Sequence, residues 1–176
     1  MPIRNRASRG FSLIELLVVV AIILIIAAIA IPQLFRARIA ANEAAAVQTV
    51  RTITTAAVTY SSTWDNGFPP SLAALGGTGD LATCDQANLM DPIVTTAPHQ
   101  KSGFTFGYTA VGPAVPSPAG CSSPGTSAYL VTATPLTVGI AGIRSFCSDE
   151  PGTIHFDTTG ATASSQSTCE ALPVLQ

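Results

Sequence analysis

The chain has 176 residues, 47% of them apolar and only 10% charged, with a net charge of −2; that length holds one modest globular domain plus an appended element. Arg4, Arg6 and Arg9 all precede a long apolar block, and without these three side chains the net charge falls from −2 to −5. No Lys/Arg cluster follows, so a basic face for binding nucleic acid is not expected.

From Leu16 to Ile31 every residue is apolar, and only Ser12 and Glu15 interrupt the extension back to Phe11. As a helix, residues 11–31 measure roughly 30 Å, enough to cross a hydrocarbon core. Three arginines before the block and none within it place the short N-terminal tail in the cytoplasm and the C-terminal part outside. A secretory signal peptide is one reading, with Ala28-Ile29-Ala30 as its small-x-small site. Against it stand a block longer than the usual 7 to 15 residues and a carboxylate in its leading end. An uncleaved signal anchor is a second reading.

A third comes from the residues themselves. Arg9-Gly10-Phe11-Ser12-Leu13-Ile14-Glu15, running on into Leu16-Leu17-Val18-Val19-Val20, resembles the processing site of the type IV pilin and pseudopilin family. The resemblance covers roughly residues 6–40. It implies a leader, residues 1–10, removed by a prepilin peptidase after Gly10, with N-methylation of the new terminal Phe11. It places Glu15 fifth and Pro32 twenty-second after the cut, as in that family. The implied product is a structural subunit, not an enzyme: a homo-oligomeric helical filament built by bundling of N-terminal helices. An inner-membrane assembly platform and its ATPase would drive assembly, with the membrane holding the subunit beforehand.

A carboxylate at the centre of a membrane helix costs about 2.5 to 3.5 kcal/mol. Glu15, however, lies only about 6 Å along the helix from Phe11, where snorkelling and the positive helix N-terminus reduce that cost. It is either an interfacial side chain without a partner or, as the resemblance implies, the partner of the Phe11 amine on a neighbouring subunit. Pro32 removes a backbone donor, so the helix there must end, bend or open.

After Pro32 the alanine-rich sequence has no glycine or proline until Gly67, which predicts one helix over residues 11–64: a membrane or filament-core half, 11–31, and an amphipathic half, 32–64. Val47, Val50, Ile53, Ala57 and Tyr60 or Ser61 form an apolar stripe, with Gln48, Thr49, Arg51 and Thr55 off it. Ala37, Ala40, Ala41 and Ala44 would permit close helix approach. Such a helix would span roughly 80 Å, more than a domain of this size needs, and so implies partners.

Residues 65–176 form the expected globular head. Asn66-Gly67, Pro69-Pro70 and Gly76-Gly77 mark a loop region over 65–102, with one helical turn at 71–75. Four strands are predicted, over 104–111, 127–134, 144–148 and 153–158, the last two joined by a hairpin turn at Asp149-Glu150-Pro151-Gly152. A Pro/Gly/Ser-rich insertion separates the first two. The expected fold is α+β, a long N-terminal helix packed on an antiparallel sheet of about four strands, type IV pilin-like.

Cys84, Cys121, Cys147 and Cys169 contain no C-x-x-C pair, and with an export-type N-terminus they point to disulfides. Three pairings are open; the sequential pairs Cys84–Cys121 and Cys147–Cys169 are favoured because they close the shorter loops. His99 and His155 lie in no metal-ligand pattern, and no nucleophile elbow or phosphate-binding glycine loop occurs. Asp149, Glu150 and Asp157 could approach one another across the hairpin and attract calcium, although a solvated acidic rim is preferred. No catalytic residue, metal or cofactor is expected. Within the family, an extracellular type IV pilus is preferred, serving adhesion, motility or DNA uptake; the alternative is the periplasmic major pseudopilus of type II secretion.

Overall fold

The computed structural model describes residues 11–79 and 81–175. Helix α1 (Leu13–Trp64) opens the described chain and belongs to two compact units, one reaching Ala37 and the other beginning at Arg38. In the first unit, α1 continues through Pro32, and its large apolar side chains are exposed from Leu13 to Phe35.

The second unit begins with the amphipathic part of α1. Its buried residues are Glu43, Ala46, Thr49, Val50, Ile53, Ala56, Ala57 and Tyr60, a three-four repeat that gives one helix face. Thr49 was expected off this face and is buried. Its hydroxyl donates to Ala45 O at 2.9 Å, which satisfies the polar atom and leaves a methyl group for the core.

Trp64 ends the helix, and Asp65 turns the chain with φ +51°. The region expected as loop contains a 3-10 turn (Leu72–Leu75), a short α2 (Pro92–Thr95) and β1 (Gln100–Lys101). Asp91 caps α2 by accepting from Ile93 N–H at 2.9 Å, with proline in its first turn, where a missing N–H is harmless.

A five-stranded antiparallel sheet follows in the order β1-β2-β3-β4-β5, the last four strands being β2 (Phe104–Val115), β3 (Gly125–Pro135), β4 (Ser145–Asp149) and β5 (Ile154–Asp157). It has one strand more than expected, because two residues at Gln100–Lys101 pair back onto Phe104 and Thr105. β2 also runs past the expected end at Val111. Its register shifts between Val111 and Ala114, a bulge that absorbs Gly112, at φ +79°, and Pro113, which has no ladder donor.

Phe104, Phe106, Tyr129, Val131, Ala133, Phe146 and Ile154 from the sheet share one core with Val50, Ile53, Ala57 and Tyr60 of α1. On the opposite face, Leu130 packs with the Cys147–Cys169 pair. Every residue of β4 is therefore buried, and α3 (Gln166–Glu170), which carries Cys169, supplies the second cover. Its Ser165 and Thr168 form a reciprocal capping box. The final residues lie along the outer edge of β5, where Phe156 N–H donates to Pro173 O and Leu175 N–H to Ile154 O.

Candidate functional site

Two places gather the residues of interest. The first is the start of α1. Gly10 and the arginines before it lie outside the described residues; Phe11 is 80% exposed. Ser12 stands at the N-cap, and Leu16 N–H donates to its carbonyl at 3.3 Å. Three residues on, Glu15 turns back and accepts from Ser12 N–H at 3.0 Å. This is the carboxylate half of a capping box, which satisfies a donor that the helix cannot and sets negative charge at its positive end. Sequence reasoning missed this contact, although Ser12-x-x-Glu15 is its signature. Beyond it the helix is long and apolar enough to cross a membrane, and Pro32 lies inside it without ending it.

The second place is the joint between α1 and the β3–β4 loop, within the second unit. Glu43 is buried and accepts three hydrogen bonds from that loop, with an ion-pair contact beside them. Ile143 N–H and Arg144 N–H donate to Oε1 at 2.8 and 3.0 Å. Arg144 Nε donates to Oε2 at 2.9 Å, with Nη2 at 2.7 Å. Burial pushes the Glu43 carboxyl up, but the two backbone donors and the guanidinium outweigh it and hold it below the ordinary range. Asn42 Nδ2 adds a bond to Ala141 O at 2.9 Å. Sequence reasoning missed Glu43 as well. Extending the stripe Tyr60, Ala57, Ile53, Val50 back by the same interval passes Ala46 and lands on this carboxylate.

At the other end of the head, Tyr60 donates to Cys84 O at 2.8 Å and accepts from Asn66 Nδ2 at 3.2 Å. Asn66 also accepts from Gly125 N–H at 3.2 Å. The cysteines are joined as Cys84–Cys121 and Cys147–Cys169, with Cα separations of 5.5 and 6.0 Å. The first pair ties the long connection to the β2–β3 insertion, and the second ties α3 to β4.

The acidic residues of the hairpin do not converge. Ser145 pairs with Asp157 and Ser148 with Ile154, so Asp149 and Glu150 sit at the turn while Asp157 sits at the far end, about 13 Å away at strand spacing. Register thus excludes the approach of all three, the less favoured of the two sequence readings. Asp157 is instead occupied locally, accepting from Thr159 N–H at 2.6 Å. His155 is buried with Nδ1–H donating to Leu172 O at 2.7 Å, and His99 Nδ1–H donates to Val94 O at 2.8 Å. Both contacts hold chain segments in place. Among the described residues no three His, Cys, Asp or Glu side chains gather as a metal site.

No solved structure matches the chain. Comparison with known families matches residues 5–31 to the prokaryotic N-terminal methylation motif. The matched segment contains Gly10, Phe11 and Glu15 and ends at Ile31, the last residue of the apolar block. Residues 5–31 therefore carry the type of leader and helix start found in type IV pilins and pseudopilins, and the long apolar helix that follows fits a membrane-anchored precursor.

Proposed function

We propose that this chain is the structural subunit of a type IV pilus, cut between Gly10 and Phe11 by a prepilin peptidase and N-methylated on Phe11. The observation that carries the reading is the methylation motif at residues 5–31 set on a helix whose large apolar side chains are exposed from Leu13 to Phe35. A surface of that kind must be covered by lipid and then, once outside lipid, by other apolar helices. The precursor is held in the inner membrane with its C-terminal domain outside the cytoplasm. An assembly platform and its ATPase then extract it into an extracellular filament.

Glu15 is given two successive roles. In the single chain it caps its own helix through Ser12 N–H; in the filament it faces the positively charged Phe11 amine of a neighbour and fixes the register between helices. Pro32 marks the place where α1 lacks one backbone bond and opens most readily. The second disulfide, Cys147–Cys169, and the separation of Asp149 from Asp157 along the hairpin favour the pilus over the export pseudopilus.

The mass of the mature N-terminus tests processing. Methylated Phe11 is the expected result, a terminus at Ile31 would restore the signal peptide, and an uncut chain would leave only an anchor. Surface fibres containing the chain support the pilus, whereas a periplasmic filament dependent on an export ATPase would replace it with the pseudopilus. Glu15→Val should leave cleavage and insertion intact and lower filament yield; undiminished assembly would sink the register role.

A further inference from the structure

The loop between β3 and β4 is built unlike a solvent-facing turn. Leu136, Val138, Ile140 and Ile143 are 51, 53, 70 and 49% exposed, four large apolar side chains within eight residues. The backbone that carries them is fixed. Leu136 N–H donates to Gly103 O at 2.9 Å, Gly139 N–H to Gly142 O at 2.8 Å and Ala141 N–H to Thr137 O at 2.9 Å. Asn42 holds Ala141 O, and Glu43 holds Ile143 and Arg144. Apolar side chains on a backbone tied this way cannot fold back on the core, and an exposed patch of this sort marks an interaction surface. Its fixed geometry lowers the ordering penalty of docking.

We propose that this loop docks a second copy of the chain, receiving residues 34–38 of that copy's α1; the proposal rests on the filament reading above and names one of its contacts. Leu34 and Phe35 are 69 and 60% exposed and follow Pro32, so they lie past the stretch of residues 11–31 that lipid covers. Arg36 and Arg38 come next. The one ion pair among the described residues joins Arg144 to Glu43, which leaves both arginines without a carboxylate there. Charge is divided along the chain to match. Residues 32–64 hold three arginines and one glutamate, net +2, whereas residues 65–176 hold eight carboxylates against Lys101 and Arg144, net −6. An acidic domain attracts the basic helix segment of another copy and is repelled by an anionic membrane surface. The apolar loop therefore fits the neighbour's helix better than lipid.

All cysteines in the described residues are in disulfides, so introduced thiols report single positions. Ile140→Cys and Leu34→Cys are placed in two differently tagged full-length chains co-expressed in the same cells, with Ala73→Cys replacing Ile140→Cys as the control. The expected result is a mixed disulfide dimer at least tenfold above the control. A yield no higher than the control overturns the proposal. Brominated lipid quenching a fluorophore attached to the Ile140→Cys thiol overturns it as well, because that would assign the loop to the membrane. Ile140→Asp should cut filament yield about tenfold while protease resistance of the domain is unchanged; wild-type yield overturns it too. Methylated Phe11, measured in the same membranes, tests the filament precursor reading separately, so either can fail alone.

Discussion

Glu43→Gln is a one-atom change that isolates the charge in the joint between α1 and the β3–β4 loop. The amide oxygen can still accept from Ile143 N–H and Arg144 N–H, while the ion pair with Arg144 is lost. Because the guanidinium side chain is 39% exposed, the pair is worth about 1 kcal/mol, well under the 3 to 5 of a fully buried one. Weakening two charge-assisted backbone bonds to neutral ones removes about 0.5 kcal/mol each. The expected destabilisation is therefore about 2 kcal/mol at pH 7, or roughly 8 °C in Tm for a domain of this size. Thermal unfolding of the full chain in detergent, followed by near-ultraviolet circular dichroism, measures it. The sign with pH follows from a folded pKa held below the unfolded value of about 4.3. The charge contributes fully above that value, and its contribution disappears as pH falls through the folded pKa. The gap between wild type and variant should thus be flat from pH 6 to 8 and narrow as pH falls below the unfolded value. A gap under 0.5 kcal/mol at pH 7, or one that persists unchanged to pH 3, refutes the assignment.

Three further outcomes are expected. Gly125→Ala should destabilise by more than about 3 kcal/mol, because its Cβ would collide with the backbone oxygen of Asn66 and must displace the buried Asn66 network; chemical denaturation reads this, and a neutral effect would show that the network yields freely. Tyr60→Phe leaves Cys84 O and Asn66 Nδ2 without the hydroxyl and should lower stability by about 1 to 2 kcal/mol in the same assay. Removing the Cys147–Cys169 bond, with its separation of 22 residues, should lower stability by about 3.4 kcal/mol on chain entropy. Limited proteolysis should then cut first after Gly160, and an unchanged cleavage pattern would contradict this.

Much of the chain was legible without coordinates wherever a pattern is local. The apolar block, the unbroken run to Gly67 and the turn at 149–152 each depend on residues within a few positions. Helical and strand periods convert such spacing directly into faces and ends. The Ser12-x-x-Glu15 cap, Glu43 and Thr49 were the local patterns left unread. Glu43 sits at an apolar position of the stripe with its charge compensated from a hundred residues away, and Thr49 bonds back into its own helix.

What the sequence determined by itself is the element on which the proposed function rests: a methylation motif opening a helix long and apolar enough for a membrane. Tertiary structure alone decided the pairing of four cysteines, the distance of Asp157 from Asp149, the fifth strand and the locking of Glu43 onto the β3–β4 loop. The reason is physical. A helix and its cap are encoded by neighbours along the chain, whereas register, disulfide choice and a buried charge depend on which distant segments the fold brings within hydrogen-bond reach.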